Sequence, residues 1–285
     1  MSRVVYTSDP RIPILRMISP YCILQDLLKN RELIVAYAKR EFHAAHRGTY
    51  LGLAWSVISP LIMLALFVGV FGYIFGGRFT KNPNETAAEF ALALFVGLAF
   101  FNCFSQSMGA ASGLVLSNST YVKTLAFPLE ILSVSSVLMA LMNLAISLGI
   151  CLAAHLVMYG YLHWTAVWLV LHIICITLLS LGISWFVSSL SVFVRDISAI
   201  IPPLSMVLMF VSGIFFPLDA ISPRIRWLVE LNPLAVIIYQ ARSCLMYGQS
   251  PNFASLGVVF VFSLLVAVAG YWFFMRAKPA FADVI

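Results

Sequence analysis

The 285-residue chain is 62% apolar and only 10% charged, with a formal net charge of +6. That composition excludes an ordinary water-soluble domain, because several uncharged runs of about twenty residues match the hydrocarbon thickness of a bilayer. Cys22, Cys103, Cys151, Cys175 and Cys244 are scattered, and the histidines lack ligand spacing, so the cysteines read as small apolar side chains and no metal site is expected.

Residues 1–50 form an N-terminal segment that holds eight of the seventeen Lys and Arg residues. It has no short apolar core followed by a small-residue cleavage site, so no cleavable leader is expected. Ser19 and Pro20 give an N-cap and first-turn signal. Ile23, Leu24, Leu27, Leu28, Ile34, Val35, Ala38 and Phe42 then recur at helical spacing across 19–47. This pattern predicts an amphipathic helix in the membrane interface; a soluble helix packed on another surface shares it.

Residues 51–285 read as a transmembrane domain of six spans, at 53–75, 88–112, 131–158, 165–192, 199–216 and 254–275. Helices are required, since an open strand edge is unsatisfied in lipid and the alternation of a membrane barrel is absent. With six spans, twelve of the seventeen Lys and Arg residues fall on the side that holds both termini. The positive-inside bias makes that side cytoplasmic. The basic balance is thus a topology signal, and no nucleic-acid motif accompanies it.

Two connections are more than chain reversals. The stretch YVKTLAFPLEIL, Tyr121 to Leu132, puts a lysine, a proline and a glutamate among apolar residues on the cytoplasmic side. Its composition fits a short elbow covered by another protein or packed on its own bundle. Residues 217–250 hold two apolar stretches too short to cross, broken by Pro217, Pro223, Asn232 and Pro233. Short helices that enter the outer leaflet and return would fit, provided protein or water covers their backbone.

The search for chemistry is mostly negative. No G-x-x-x-x-G-K-[ST] loop occurs, so phosphates are not cradled in that way. His155, His172 and Asn143 are the polar candidates for a membrane-embedded acyl- or glycosyltransferase, and they form no recognisable constellation. A secondary transporter would be expected to show intramembrane charges. Among 22 Phe, 11 Tyr and 6 Trp, Phe67, Phe71 and Phe75 form one stripe of the first span, while Phe90, Phe101 and Phe104 fall near one face of the second. They are either lipid-facing and packing rings or the lining of a path on which sugar faces stack. Trp55 and Tyr50 suit the interfacial aromatic belt. Phe215, Phe216 and Pro217 could close an outer mouth or simply sit at the outer interface. Arg195-Asp196 either terminates a span or bridges to Lys39 or Glu41.

The stretches RGTYLGLAWSVISPLIML, YVKTLAFPLEIL, VFVRDIS, SGIFFPLDAISP and LNPLAVIIYQAR occur in that order. Together they resemble the permease subunit of a type-2 ATP-binding-cassette exporter, of the branch that exports O-antigen, related polysaccharides and teichoic acid. The likeness runs from about Glu32 to Lys278 and omits residues 1–18. It implies an all-α integral membrane protein: six transmembrane helices, an N-terminal interface helix, a cytoplasmic coupling helix and short re-entrant helices before the last span. It implies a homodimer in the bacterial cytoplasmic membrane with two ATPase subunits, which bind ATP and Mg, and a lipid-linked glycan as substrate. The chain itself would hold no cofactor and no catalytic residue. Lys123, Phe127, Pro128 and Glu130 would make and anchor the ATPase contact, and Glu41, Arg195 and Asp196 would bridge the cytoplasmic gate. Phe67, Phe71, Phe75, Phe101 and Phe104 would line the channel, and Phe215, Phe216 and Pro217 its outer mouth. A drug or small-lipid exporter of the same superfamily is the alternative.

Overall fold

The computed structural model describes residues 19–44, 50–70, 86–122, 127–215 and 222–284, and every regular element among them is helical. Two short helices lead in, α1 (Pro20–Lys29) and α2 (Arg31–Ala44). The single amphipathic helix expected over 19–47 is therefore two. Asn30 caps α1 and its side-chain amide donates to the Asp26 carbonyl at 2.9 Å, which breaks the run. The apolar face is also divided. Ile23, Ile34, Tyr37, Ala38 and Phe42 are buried against the bundle, while Tyr21, Leu24, Leu28 and Leu33 stay exposed.

The bundle consists of α3 (Trp55–Phe67), α4 (Ala87–Ser117), α5 (Glu130–Tyr159), α6 (Leu169–Phe193), α7 (Ile197–Val211), α8 (Pro223–Glu230), α9 (Pro233–Met246) and α10 (Phe253–Ala277). Their ends follow local chemistry. Thr86 and Glu89 form a reciprocal capping box at the start of α4. Gly160, at φ 75°, stops α5. Asn232 and Asn252 cap α9 and α10 through their side-chain carbonyls.

Among the described residues, five helices are long and apolar enough to cross a membrane, at Gly52–Val70, Ala87–Ser117, Glu130–Tyr159, Trp164–Phe193 and Phe253–Val284. The expected fifth span, 199–216, is the 15-residue α7 instead. At 1.5 Å per residue it reaches about 22 Å, short of a ~30 Å hydrocarbon core. Pro202 and Pro203 lie inside it, and the chain turns at Gly213, whose φ is 63°. Helices α8 and α9 then form the two short apolar pieces expected before the last span.

Helix α4 is the axis of the fold. It packs against α3, α5, α6, α7 and α9. The tightest pairing is α6 with α10, where a Cβ on Gly270 would lie 2.1 Å from the Gly182 carbonyl oxygen. Small residues there let two backbones touch, the usual device for helix association where lipid removes the hydrophobic drive.

Candidate functional site

A cavity of about 890 Å³ opens between α3, α4 and α5. Its wall on α4 is Asn102, Gln106, Gly109 and Ala110, spaced so that they share one face. Its wall on α5 is Ser136, Met139, Asn143 and Ser147, again one face. Helix α3 adds Trp55, Ser56, Ser59, Pro60 and Met63. The Asn143 amide donates to the Gln106 side-chain carbonyl at 3.0 Å. Asn143 lies thirteen residues past Glu130, so the amide pair sits about 20 Å into α5, near mid-span. Amides at that depth are costly against lipid, which is why they turn to a cavity and to each other.

The phenylalanines expected on a path are placed otherwise. Phe90, Phe101 and Phe104 are 4%, 4% and 5% exposed and fill the main core of the protomer. Their faces of α4 point away from the cleft, because Asn102 and Gln106 occupy the opposite side. Phe67 is half-buried and packs on the same core. Phe71 and Phe75 lie outside the described residues. The aromatic members of the cleft wall are Trp55 and Phe95. The sequence reading passed over Asn102 and Gln106, although two amides at i and i+4 in the middle of an apolar span were a legible signal.

At the basic end of the bundle, α2, the connection after α4 and the chain end meet in a second apolar cluster. Ile23, Tyr37, Leu129, Trp185, Tyr271, Phe274 and Phe281 are buried in it. The described N-terminal helices and the C-terminal residues therefore share one end. Tyr37 donates to the Asn118 side-chain carbonyl at 2.7 Å, and Arg40 donates to the Tyr121 hydroxyl at 2.9 Å. The Arg40 guanidinium also lies 4.2 Å from the Tyr37 ring centre. Tyr121 in turn stacks on Phe127 with centroids 4.5 Å apart. The result is a clasp that ties α2 to the connection between α4 and α5. Burial, then the Glu41 carboxylate, pushes the Tyr37 phenol above its ordinary pKa, so it stays a neutral donor. The hydrogen bond to Tyr121 raises the Arg40 pKa and keeps its charge.

The other coupling residues divide. Lys123 lies outside the described residues. The Pro128 carbonyl accepts from the Ile131 amide at 3.1 Å and so starts α5. Glu130 faces inward: it is 8% exposed, its carboxylate pairs with Lys278 at 2.8 Å, and its carbonyl accepts from the Trp185 indole at 3.1 Å. The bridge expected from Lys39 or Glu41 to Arg195-Asp196 is not formed among the described residues. Glu41 pairs with Arg40 at 3.2 Å, and Arg195 and Asp196 are exposed.

The profile of the ABC-2 type transporter family matches residues 32–246. The chain belongs to the ABC-2 type transporter family. It is similar to the O-antigen export system permease protein RfbA of Klebsiella pneumoniae, 24% identical over 258 residues, which covers 89% of this chain and 95% of that protein. The namesake in Myxococcus xanthus is 22% identical over 265 residues, 92% of this chain and 99% of the relative. The polysialic acid transport protein KpsM of Escherichia coli is 25% identical over 243 residues, 85% of this chain and 92% of the relative.

Within this ABC-2 transporter, the family match ends at the last residue of α9, and that helix carries a deeply buried charge. Arg242 is 2% exposed and donates to the Ala93 carbonyl at 2.8 Å and the Ile214 carbonyl at 3.0 Å. It fastens α9 to α4 and to the turn after α7. Phe215 is half-buried, with its ring 5.7 Å from Phe210 and against the main core. Phe216 and Pro217 lie outside the described residues.

Proposed function

We propose that the chain is the transmembrane permease subunit of an ATP-driven exporter that moves lipid-linked polysaccharide across the bacterial cytoplasmic membrane. The observation that carries this reading is the mid-span cleft, whose described lining offers amides, hydroxyls and an exposed indole and no charge. Sugar hydroxyls both donate and accept, and so do Asn, Gln and Ser side chains. Such contacts are numerous and individually weak, which suits a polymer that must slide. The names of the O-antigen and polysialic acid relatives support the same substrate class.

In this reading two copies pair, each binds one ATPase subunit, and nucleotide and Mg²⁺ are held by that partner. Both termini are cytoplasmic, so the basic end with its clasp faces the ATPase. ATP favours one arrangement of the partner subunits, and the clasp passes that bias to α4 and α5. Deleting the chain in its host is expected to leave lipid-linked glycan on the cytoplasmic side, with export restored by a plasmid copy; undiminished surface glycan in the deletion strain would overturn the reading. A Gly-Ser pair inserted after Thr124 is expected to abolish export while the complex still assembles. Normal export from that variant would remove the coupling role.

A further inference from the structure

We infer that the cleft takes uncharged sugar units, so that the glycan moved by this chain is a neutral polysaccharide and not a polyanion; this rests on the cleft being the glycan path. Among the described residues, nineteen line the cleft, and none is Asp, Glu, Lys, Arg or His. Its polar members are seven: Ser56, Ser59, Asn102, Gln106, Ser136, Asn143 and Ser147.

Among the described residues, the cations lie elsewhere. Lys278 pairs with Glu130 at the basic end, about 20 Å along α5 from Asn143. Arg242 is buried on the α9 side of α4 and turned to the Ala93 and Ile214 carbonyls. A glycan with a carboxylate or phosphate on each repeat would bring several charges to mid-span at once. Amides and hydroxyls solvate an anion only through their donor ends, and each Asn or Gln also presents a carbonyl that repels it. An uncharged sugar uses both ends of every amide. The Asn143–Gln106 hydrogen bond shows the pair already arranged donor to acceptor, as a hydroxyl would meet it. The polysialic acid relative, at 25% identity, therefore does not pass its substrate's charge to this chain.

The test is saccharide binding to the full-length chain in phosphatidylcholine nanodiscs at about 0.3 M salt, where the basic end is screened. The probes are maltoheptaose, neutral, and an α2,8-linked sialic acid oligomer of the same length. The wild type is expected to bind the neutral probe at least tenfold more tightly. Gln106→Lys, on an exposed cleft position, is expected to weaken the neutral probe and strengthen the anionic one tenfold or more. Asn102→Lys repeats the test should Gln106→Lys fail to fold. If the wild type binds the sialic acid oligomer as tightly, and the lysine variants still alter binding, the neutral-substrate inference falls while the cleft remains the glycan path. If neither probe binds, or both lysine variants leave binding unchanged, the cleft is not the path and both readings fall.

Discussion

Helices Gly52–Val70 and Ala87–Ser117 have similar apolar windows, with mean hydropathy 2.3 and 1.9, yet none of the first window and 78% of the second is buried inside the protomer. In lipid, apolarity licenses a span and says nothing of what the span faces. What separates the two is small residues and polar ones. Along α4, Ala93 and Gly97 let α9 and Arg242 approach, and Asn102 and Gln106 claim one face for the cleft. Along α3, large side chains such as Leu61 and Leu66 remain 46% and 54% exposed, free to meet lipid or a second copy.

The comparison breaks first on core truncation. Phe100 is 0% exposed and Leu61 is 46% exposed. Phe100→Ala is expected to cost on the order of 2–4 kcal/mol, since a lipid reference removes part of the transfer contribution but not the cavity. Leu61→Ala is expected to stay within about 0.5 kcal/mol. Thermal unfolding in detergent reads both, and equal shifts would erase the contrast.

Adding a methyl group sharpens the same contrast. A Cβ at Gly97 would stand 2.6 Å from the Arg242 guanidinium and 3.1 Å from Ile238, while one at Gly69 meets nothing within 4 Å. Gly97→Ala is expected to cost about 1–3 kcal/mol by overpacking and by loosening the arginine from its carbonyls. Gly69→Ala is expected to be neutral or to gain up to about 1 kcal/mol from helix propensity. Melting of the two variants beside wild type decides it; a destabilising Gly69→Ala would instead show that a second copy covers α3.

The sequence reading located the long spans because charge-free runs have a physical length to match. The two helices before the last span were legible from Pro223, Asn232 and Pro233, whose backbone limits end helices whatever surrounds them. The short α7 was misjudged because 199–216 is apolar throughout, and only Pro202, Pro203 and Gly213 marked it as incomplete. Orientation was the harder problem. Phe101 and Phe104 share a helix with the cleft, yet hydropathy ranks a core phenylalanine above the amides that actually line the space. The burial of Arg242 was illegible for a similar reason: nothing local marks the carbonyls it reaches, 149 and 28 residues away.

The smallest expected effect on stability tests the basic end, where α2 is held against the connection that follows α4. Arg40 and Tyr121 join through one exposed hydrogen bond of 2.9 Å, and Arg40 also lies over the Tyr37 ring. Screened surface contacts of this kind contribute at most about 1 kcal/mol. Arg40→Gln should therefore barely move the melting temperature, and Tyr121→Phe should move it less, because Phe keeps the stacking on Phe127. Function should respond out of proportion if the clasp links α2 to the α4–α5 connection. Export by the assembled complex is expected to fall in Arg40→Gln, with less loss in Tyr121→Phe, while permease–ATPase assembly is unchanged. Equal, wild-type export in both variants would show that burial of Tyr37 and Phe42 alone holds α2 in place. The functional link would then lie in the apolar cluster beneath, around Trp185 and Phe274, where truncation would be felt as a loss of stability first.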